Sequence, residues 1–188
     1  MSNRLATVLT QQRHKLPRRL ETPRTLQVAV PDMHSQVNLG RIVRAAALFG
    51  VTEMLAAGRA KMDTDVSLGA EEHVHVKSCR TLRHPLKRLQ ADGWTVVGLE
   101  QTEVSNSLFE YNFPRRCVLL VGHERHGVTD DLLTICDDIV EIPTFGHVGS
   151  HNASSAAMIA MYEYCRQAEA GLLHDDRIQS GQLIQDPE

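Results

Sequence analysis

Aromatic side chains are scarce in this sequence, with one Trp, three Tyr and four Phe in 188 residues. RNA-binding sheets of the RRM type stack bases on exposed rings, so this count argues against such a platform. Long apolar runs are absent as well, and none approaches the roughly 20 residues that a bilayer-spanning helix needs. The opening MSNRLATVLTQQRHK contains no uninterrupted apolar core of the signal-peptide kind. Four cysteines, at 79, 117, 136 and 165, form no C-x-x-C pair, which argues against a zinc ribbon or a thioredoxin-type motif. Internal repeats and low-complexity segments are missing. These absences predict a cytoplasmic protein with reduced thiols and no membrane partner.

Hydrophobic residues make up 42% of the chain, enough to build a real core. At about 150 residues per domain the length predicts one domain with short extensions. The formal net charge of −3 is unevenly spread. Residues 1–24 carry six cations (Arg4, Arg13, Lys15, Arg18, Arg19 and Arg24) against Glu21 alone, so the remaining residues carry −8. A second basic cluster, Lys77, Arg80, Arg83, Lys87 and Arg88, contains no acid. Local cationic patches on a mildly acidic protein suit a polyanion, because phosphate contacts need nearby cations rather than a high global pI. A solvated helix face and a frayed arm would read the same way. The expected organisation is a basic arm at 1–24, a domain at 25–170 and an acidic tail at 171–188.

Strand-like runs alternate with helical patterns. Strands are predicted over 25–30, 51–56, 94–99, 117–121 and 139–142. Helices are predicted over 38–50, 79–92 (at least after Pro85), 129–136 with Thr129 as cap, and 153–170 stopped by Gly171. The alternation predicts an α/β fold, a mostly parallel sheet with helices on both faces. Ligands of such sheets bind beyond the carboxyl ends of the strands, where three segments stand out.

The first segment begins Asn38-Leu-Gly-Arg41-Ile-Val-Arg44. Asn38 is a good N-cap, and two arginines three apart near free N–H groups would hold a phosphate-sized anion. An amphipathic helix with two surface arginines is the alternative. The second is Gly122-His-Glu124-Arg-His-Gly127, a strand exit with glycines five apart, neither a dinucleotide fingerprint nor a P-loop. Glu124 there can accept hydrogen bonds or orient an arginine. The third runs Ile142-Pro143-Thr-Phe-Gly146-His-Val-Gly149-Ser150-His151-Asn152 and enters a helix through small residues. Ser150 or Asn152 can cap that helix or hold a ligand. The spacings His123-x-x-His126 and His147-x-x-x-His151 lack a carboxylate or cysteine cluster, so no metal is expected.

Taken in order, these segments resemble the SpoU (TrmH-like) branch of the SPOUT RNA methyltransferases, from about Leu26 to Arg166. The stretch from Val97 to Glu124 is most similar to the catalytic domains of tRNA guanosine-18 2′-O-methyltransferases. The resemblance implies a C-terminal trefoil knot, an exception to the rule against knotted chains. It also implies S-adenosyl-L-methionine as cofactor and a homodimer with its active site at the subunit interface. By motif match, Leu99, Gly122, Ile142 and His151 fall at cofactor contacts. Asn38, Arg44, Glu124, Ser150 and Asn152 match the catalytic and substrate-binding set. Arg41, Arg18, Arg19, Arg80, Lys87 and Arg88 become candidate RNA contacts, with tRNA favoured and no DNA expected. The sequence departs from the family at His151, where leucine is usual.

The implied reaction is methyl transfer from a sulfonium to a ribose 2′-hydroxyl, with guanosine 18 of tRNA the first candidate. Arginine is a poor base, so Arg44 is better suited to stabilising the developing alkoxide and holding the adjacent phosphate. That phosphate, or one of His123, His126 and His151, would take the proton. The rival readings are an rRNA 2′-O-methyltransferase, a catalytically silent RNA-binding member of the fold, and a nucleotide-binding α/β enzyme unrelated to RNA.

Overall fold

The strand β6 (Arg116–Val121) is buried after its first residue, and its side chains divide alternately between two cores. Cys117, Leu119 and Val121 point to one side of the sheet, Val118 and Leu120 to the other. A strand apolar on both faces must be covered on both, which demands a helical layer on each side. One layer is α1 (Gln36–Leu48) and α5 (Ala153–Ala170), supplying Leu39, Ile42, Val43, Ala157, Ala160, Met161 and Tyr164. The other is α3 (Arg83–Ala91) and α4 (Asp130–Leu133), supplying Leu86 and Leu132. The structure, a computed structural model, describes residues 25–175. Arg18 and Arg19, the whole basic arm and most of the acidic tail therefore lie outside the described residues.

The sheet has seven strands in the order β3-β2-β1-β6-β4-β7-β5, and every pairing is parallel. The remaining strands are β1 (Thr25–Val30), β2 (Glu53–Ala57), β3 (His75–Cys79), β4 (Thr95–Leu99), β5 (Asn106–Ser107) and β7 (Asp138–Glu141). The short helix α2 (Thr64–Ser67) and a 3₁₀ turn at Ala70–Glu72 precede β3. The α/β class and the mostly parallel sheet follow the alternation in the sequence.

Several boundaries differ from expectation. The segment from Cys79 was expected to be helical, but Cys79 ends β3 and the helix starts at Arg83. The strand β3 lies at the sheet edge with His75, Lys77 and Ser78 exposed, so it shows no apolar alternation. Lys77 and Arg80 therefore sit on a strand and a loop rather than on the helix. Asn38 does not cap α1, which begins earlier behind Ser35, whose Oγ accepts from the Asn38 N–H. Thr129 occupies the cap position of α4, but its side chain makes no capping bond and pairs with the Asp131 carboxylate instead.

The helix α5 is held down by a buried amide. Gln167 is 2% exposed, accepts from the Phe113 N–H at 2.8 Å and donates to the Tyr111 carbonyl at 2.7 Å. The buried Tyr164 donates to the Arg115 carbonyl at 2.6 Å. Such polar groups are tolerated inside because each has its partner. The N-terminus of α5 is thereby fixed over the ends of β4 and β6, with Gly171 (φ 70°) closing the far end.

Candidate active site

The carboxyl ends of β4, β6 and β7 open onto a cavity of about 230 Å³. Leu99, Glu100 and Gln101 line it from β4, and Val121 through Arg125 and Gly127 from β6. Glu141, Ile142, Ser150 and His151 line it from β7 and the following loop, and Ala153 and Ala156 from α5. Leu99, Gly122, Ile142 and His151, the four residues matched to cofactor positions, all border this cavity. Ser150 does too. Glu100, Gln101 and Glu141 were not singled out by sequence. The signal that could have found them is position alone, since each ends a strand or directly follows one.

The β6 exit is a tight turn closed by paired backbone bonds, His123 N–H to Gly127 O at 2.8 Å and Gly127 N–H to His123 O at 2.9 Å. Both glycines are required. A Cβ on Gly122 would come within 2.8 Å of the Gly127 carbonyl carbon. Gly127 has φ +63°, and a Cβ there would meet the Glu100 carboxylate at 2.1 Å. That carboxylate accepts from the Val128 N–H at 2.6 Å, so Glu100 braces the turn from β4.

The three motif segments meet through one hydrogen-bonded chain. Glu124 Oε1 accepts from the Ser35 N–H at 3.0 Å and the Asn38 Nδ2 at 3.1 Å, and Oε2 accepts from the His34 N–H at 3.3 Å. A carboxylate only accepts, so the Asn38 amide must turn its nitrogen toward Glu124. Its oxygen is then left for Asn152, which donates at 3.3 Å. The Asn152 oxygen caps α5, accepting from the Ser154 N–H at 2.9 Å and hydroxyl at 2.6 Å. Asn38 is 6% exposed and Ser154 3%, so the chain runs from the surface into the interior. Asn38, Glu124 and Asn152 thus form one unit.

This unit corrects the expectation of a phosphate at the start of α1. The backbone donors there are already taken by Glu124. Arg41 and Arg44 lie further along α1, exposed, and neither lines the cavity. Burial acts to raise the Glu124 carboxyl. It is outweighed by the donors around it, its own N–H, those of Ser35 and His34, and the Asn38 amide, so the net direction is below the ordinary carboxylate value.

His123 is excluded as the proton acceptor. Its Nδ1 accepts from the Arg125 N–H at 3.0 Å and its Nε2 faces Glu124 Oε2 at 3.5 Å. Neither nitrogen is left for a substrate. His126, stacked on His123 with ring centroids 5.0 Å apart, is exposed, as is His151. Arg80, Lys87 and Arg88 are exposed around α3. Arg83 from the same cluster is turned inward, bonded to the Asp131 carbonyl. Among the described residues no group of three or more His, Cys, Asp or Glu is placed to hold a metal.

A family model described as the SpoU rRNA Methylase family matches residues 25–162. The chain is 34% identical over 141 residues to the Mus musculus tRNA (guanosine(18)-2′-O)-methyltransferase TARBP1, covering 71% of this chain and 9% of that protein. It is 28% identical over 147 residues to the tRNA (guanosine(18)-2′-O)-methyltransferase of Escherichia coli K12, covering 77% of this chain and 64% of that one. The chain therefore spans less than two thirds of both relatives. In structure it is similar to the A. aeolicus TrmH/SpoU tRNA modifying enzyme, with TM-score 0.74, 25% identity and 80% of each chain covered. It is also similar to the SpoU methyltransferase AviRb from Streptomyces viridochromogenes in complex with AdoMet, with TM-score 0.71, 26% identity, 78% of this chain and 62% of that one.

Proposed function

From the premise that the chain belongs to the SpoU rRNA methylase family, we propose that it is an S-adenosylmethionine-dependent RNA methyltransferase acting on a ribose 2′-hydroxyl. Its favoured substrate is tRNA, with guanosine 18 the first position to test. The observation that carries this reading is the cavity at the strand ends, bordered by the second and third motifs and tied to the first through Glu124, Asn38 and Asn152.

The lining fits an adenosyl sulfonium. Leu99, Val121, Ile142, Ala153 and Ala156 offer an apolar bed for a purine, and Glu100, Gln101, Glu141 and Ser150 offer partners for its polar and cationic parts. The cofactor supplies an electrophilic methyl group, so this chain's task is to position the reactants and to manage charge on the attacking oxygen. The Glu124 unit fixes the turn at 122–127 against α1 and α5. Arg44 holds the phosphate beside the reacting ribose and stabilises its alkoxide. Arg44→Ala is expected to abolish transfer and leave cofactor affinity nearly unchanged. Transfer at the wild-type rate would remove Arg44 from the mechanism.

Because Arg44 is exposed on α1 and outside the cavity lining, the same reading has two copies completing each site. Leu48, Met158, Ile159 and Tyr162 form an exposed apolar face on α1 and α5 beside it, and a second copy is its proposed cover. The trefoil knot and the RNA contacts of Arg41, Arg80, Lys87 and Arg88 belong to this proposal too.

The deciding experiment incubates the protein with radiolabelled cofactor and unmodified tRNA or rRNA transcripts, followed by nucleoside analysis. Label in a 2′-O-methylguanosine from tRNA supports the reading. Label in rRNA alone reassigns the substrate. RNA binding with no label favours a silent member of the family, a reading supported by His151 standing where leucine is usual.

A further inference from the structure

Two of the four phenylalanines are left unexplained by the fold. Phe109 is 72% exposed and Phe145 is 87% exposed, yet their rings stack with centroids 6.2 Å apart and planes 20° from parallel. Neither ring closes a core. Both stand at the rim of the cavity. Phe145 lies on the 142–152 segment, whose Ile142 and Ser150 line the cavity. Phe109 follows β5, which pairs with β7 through Ser107 and Glu141, and the Leu108 N–H donates to the Glu141 carbonyl at 2.8 Å.

We propose that the Phe109–Phe145 pair is a stacking platform for a nucleobase of the RNA substrate. The proposal rests on the methyltransferase reading and adds the substrate subsite to it. A base is covalently attached to the ribose that must reach the cavity, so it can lie no further away than the rim. Phe145 buries so little of its surface that its ring remains accessible to a partner beyond Phe109. An aromatic face accepts any base, which suits a loop that offers few directed polar side chains. The local charge suits a phosphate chain as well. Residues 142–152 include no acid and carry His147 and His151. The neighbouring turn adds the exposed Arg125 and His126, and its one acid, Glu124, is already hydrogen-bonded. Glu110 flanks Phe109, which places the backbone of the RNA on the Phe145 side. The scarcity of aromatics, read above as evidence against base stacking, thus hides a pair spent at one place.

The test uses the full chain and the variants Phe145→Ala, Phe145→Leu, Phe145→Trp and Phe109→Ala. Affinity for an unmodified tRNA transcript, affinity for S-adenosylhomocysteine, and oligomeric state are measured for each. The alanine and leucine variants are expected to bind tRNA about tenfold more weakly, within the range of one lost stacking contact. Their cofactor affinity and oligomeric state should not change. Phe145→Trp should bind tRNA as the wild type does, with its added emission quenched by tRNA. The one native tryptophan, Trp94, precedes β4 at the end of the strand away from the cavity, so it serves as background. Full tRNA affinity in Phe145→Leu, or no quenching in Phe145→Trp, overturns the platform. A loss confined to cofactor affinity makes the pair a cover for the cofactor instead. Loss of tRNA affinity together with the oligomer makes it an interface between copies. Wild-type protein that binds tRNA but transfers no methyl group sinks the enzymatic reading alone, because the stacking readouts are affinity and emission.

Discussion

Glu124 joins α1, the 122–127 turn and, through Asn38, the start of α5. Hydrogen bonds to a charged acceptor are worth roughly 1.5–3 kcal/mol each when broken. Gln keeps the shape but brings an N–H₂ group against backbone donors, so Glu124→Gln should lower stability by about 2 kcal/mol at pH 7. The pH dependence has a definite sign. The folded carboxyl lies below its ordinary value of 4.5. Its contribution is therefore complete above that value and is lost as pH falls through the lowered folded value. Denaturant melts of both proteins between pH 7 and pH 3 should show the gap closing only below about pH 4.5. A gap that stays constant to pH 3 would mean that the charge is not its source. The sequence shows Glu124 as an acid in a glycine-flanked loop. It does not show that the carboxylate faces Ser35 and His34, because those partners are 89 and 90 positions away. Asn38 was misread as a cap for the same reason, since its real partners, Glu124 and Asn152, arrive only with the fold.

At the scale of the element, the turn at 122–127 separates two effects of adding a methyl group. Gly69 and Gly127 both have positive φ, +81° and +63°, but Gly69 has nothing within 4 Å of a built Cβ whereas Gly127 meets Glu100. Gly69→Ala should cost about 1 kcal/mol from backbone strain alone. Gly127→Ala adds the displacement of the Glu100 brace, and should cost about 2–3 kcal/mol and reopen the turn. Calorimetry should then show cofactor affinity reduced at least about tenfold in Gly127→Ala and unchanged in Gly69→Ala. Equal effects at both positions would deny the turn a role in the cavity. The central elements were legible for a physical reason. The strands β1, β4 and β6 are buried on both faces, so they are apolar throughout, and α5 is bounded by Asn152 and Gly171. The strand β3 was not legible, because a single neighbouring strand leaves its side chains free to be polar. The strand β5 is two residues long, too short for any pattern.

At the scale of the whole molecule, the separation of Arg44 from the cavity becomes a measurable property. If each site takes its cavity from one copy and its Arg44 from the other, two inactive variants should rescue each other. Arg44→Ala keeps an intact cavity. Ala156→Phe keeps Arg44 but fills the cavity from α5, where Ala156 forms part of the lining. Random pairing of equal amounts gives half mixed dimers, and each has one complete site of two. Co-expression should therefore recover about a quarter of wild-type activity in a symmetric dimer. Ile159→Arg, which places a charge in the exposed face of α5, should yield monomers by sedimentation and abolish the recovery without closing the cavity to cofactor. Recovery that persists in monomers would show that Arg44 serves its own cavity. No recovery in intact mixed dimers would show that the two copies do not share a site, and would leave the face on α1 and α5 as a contact without a catalytic role.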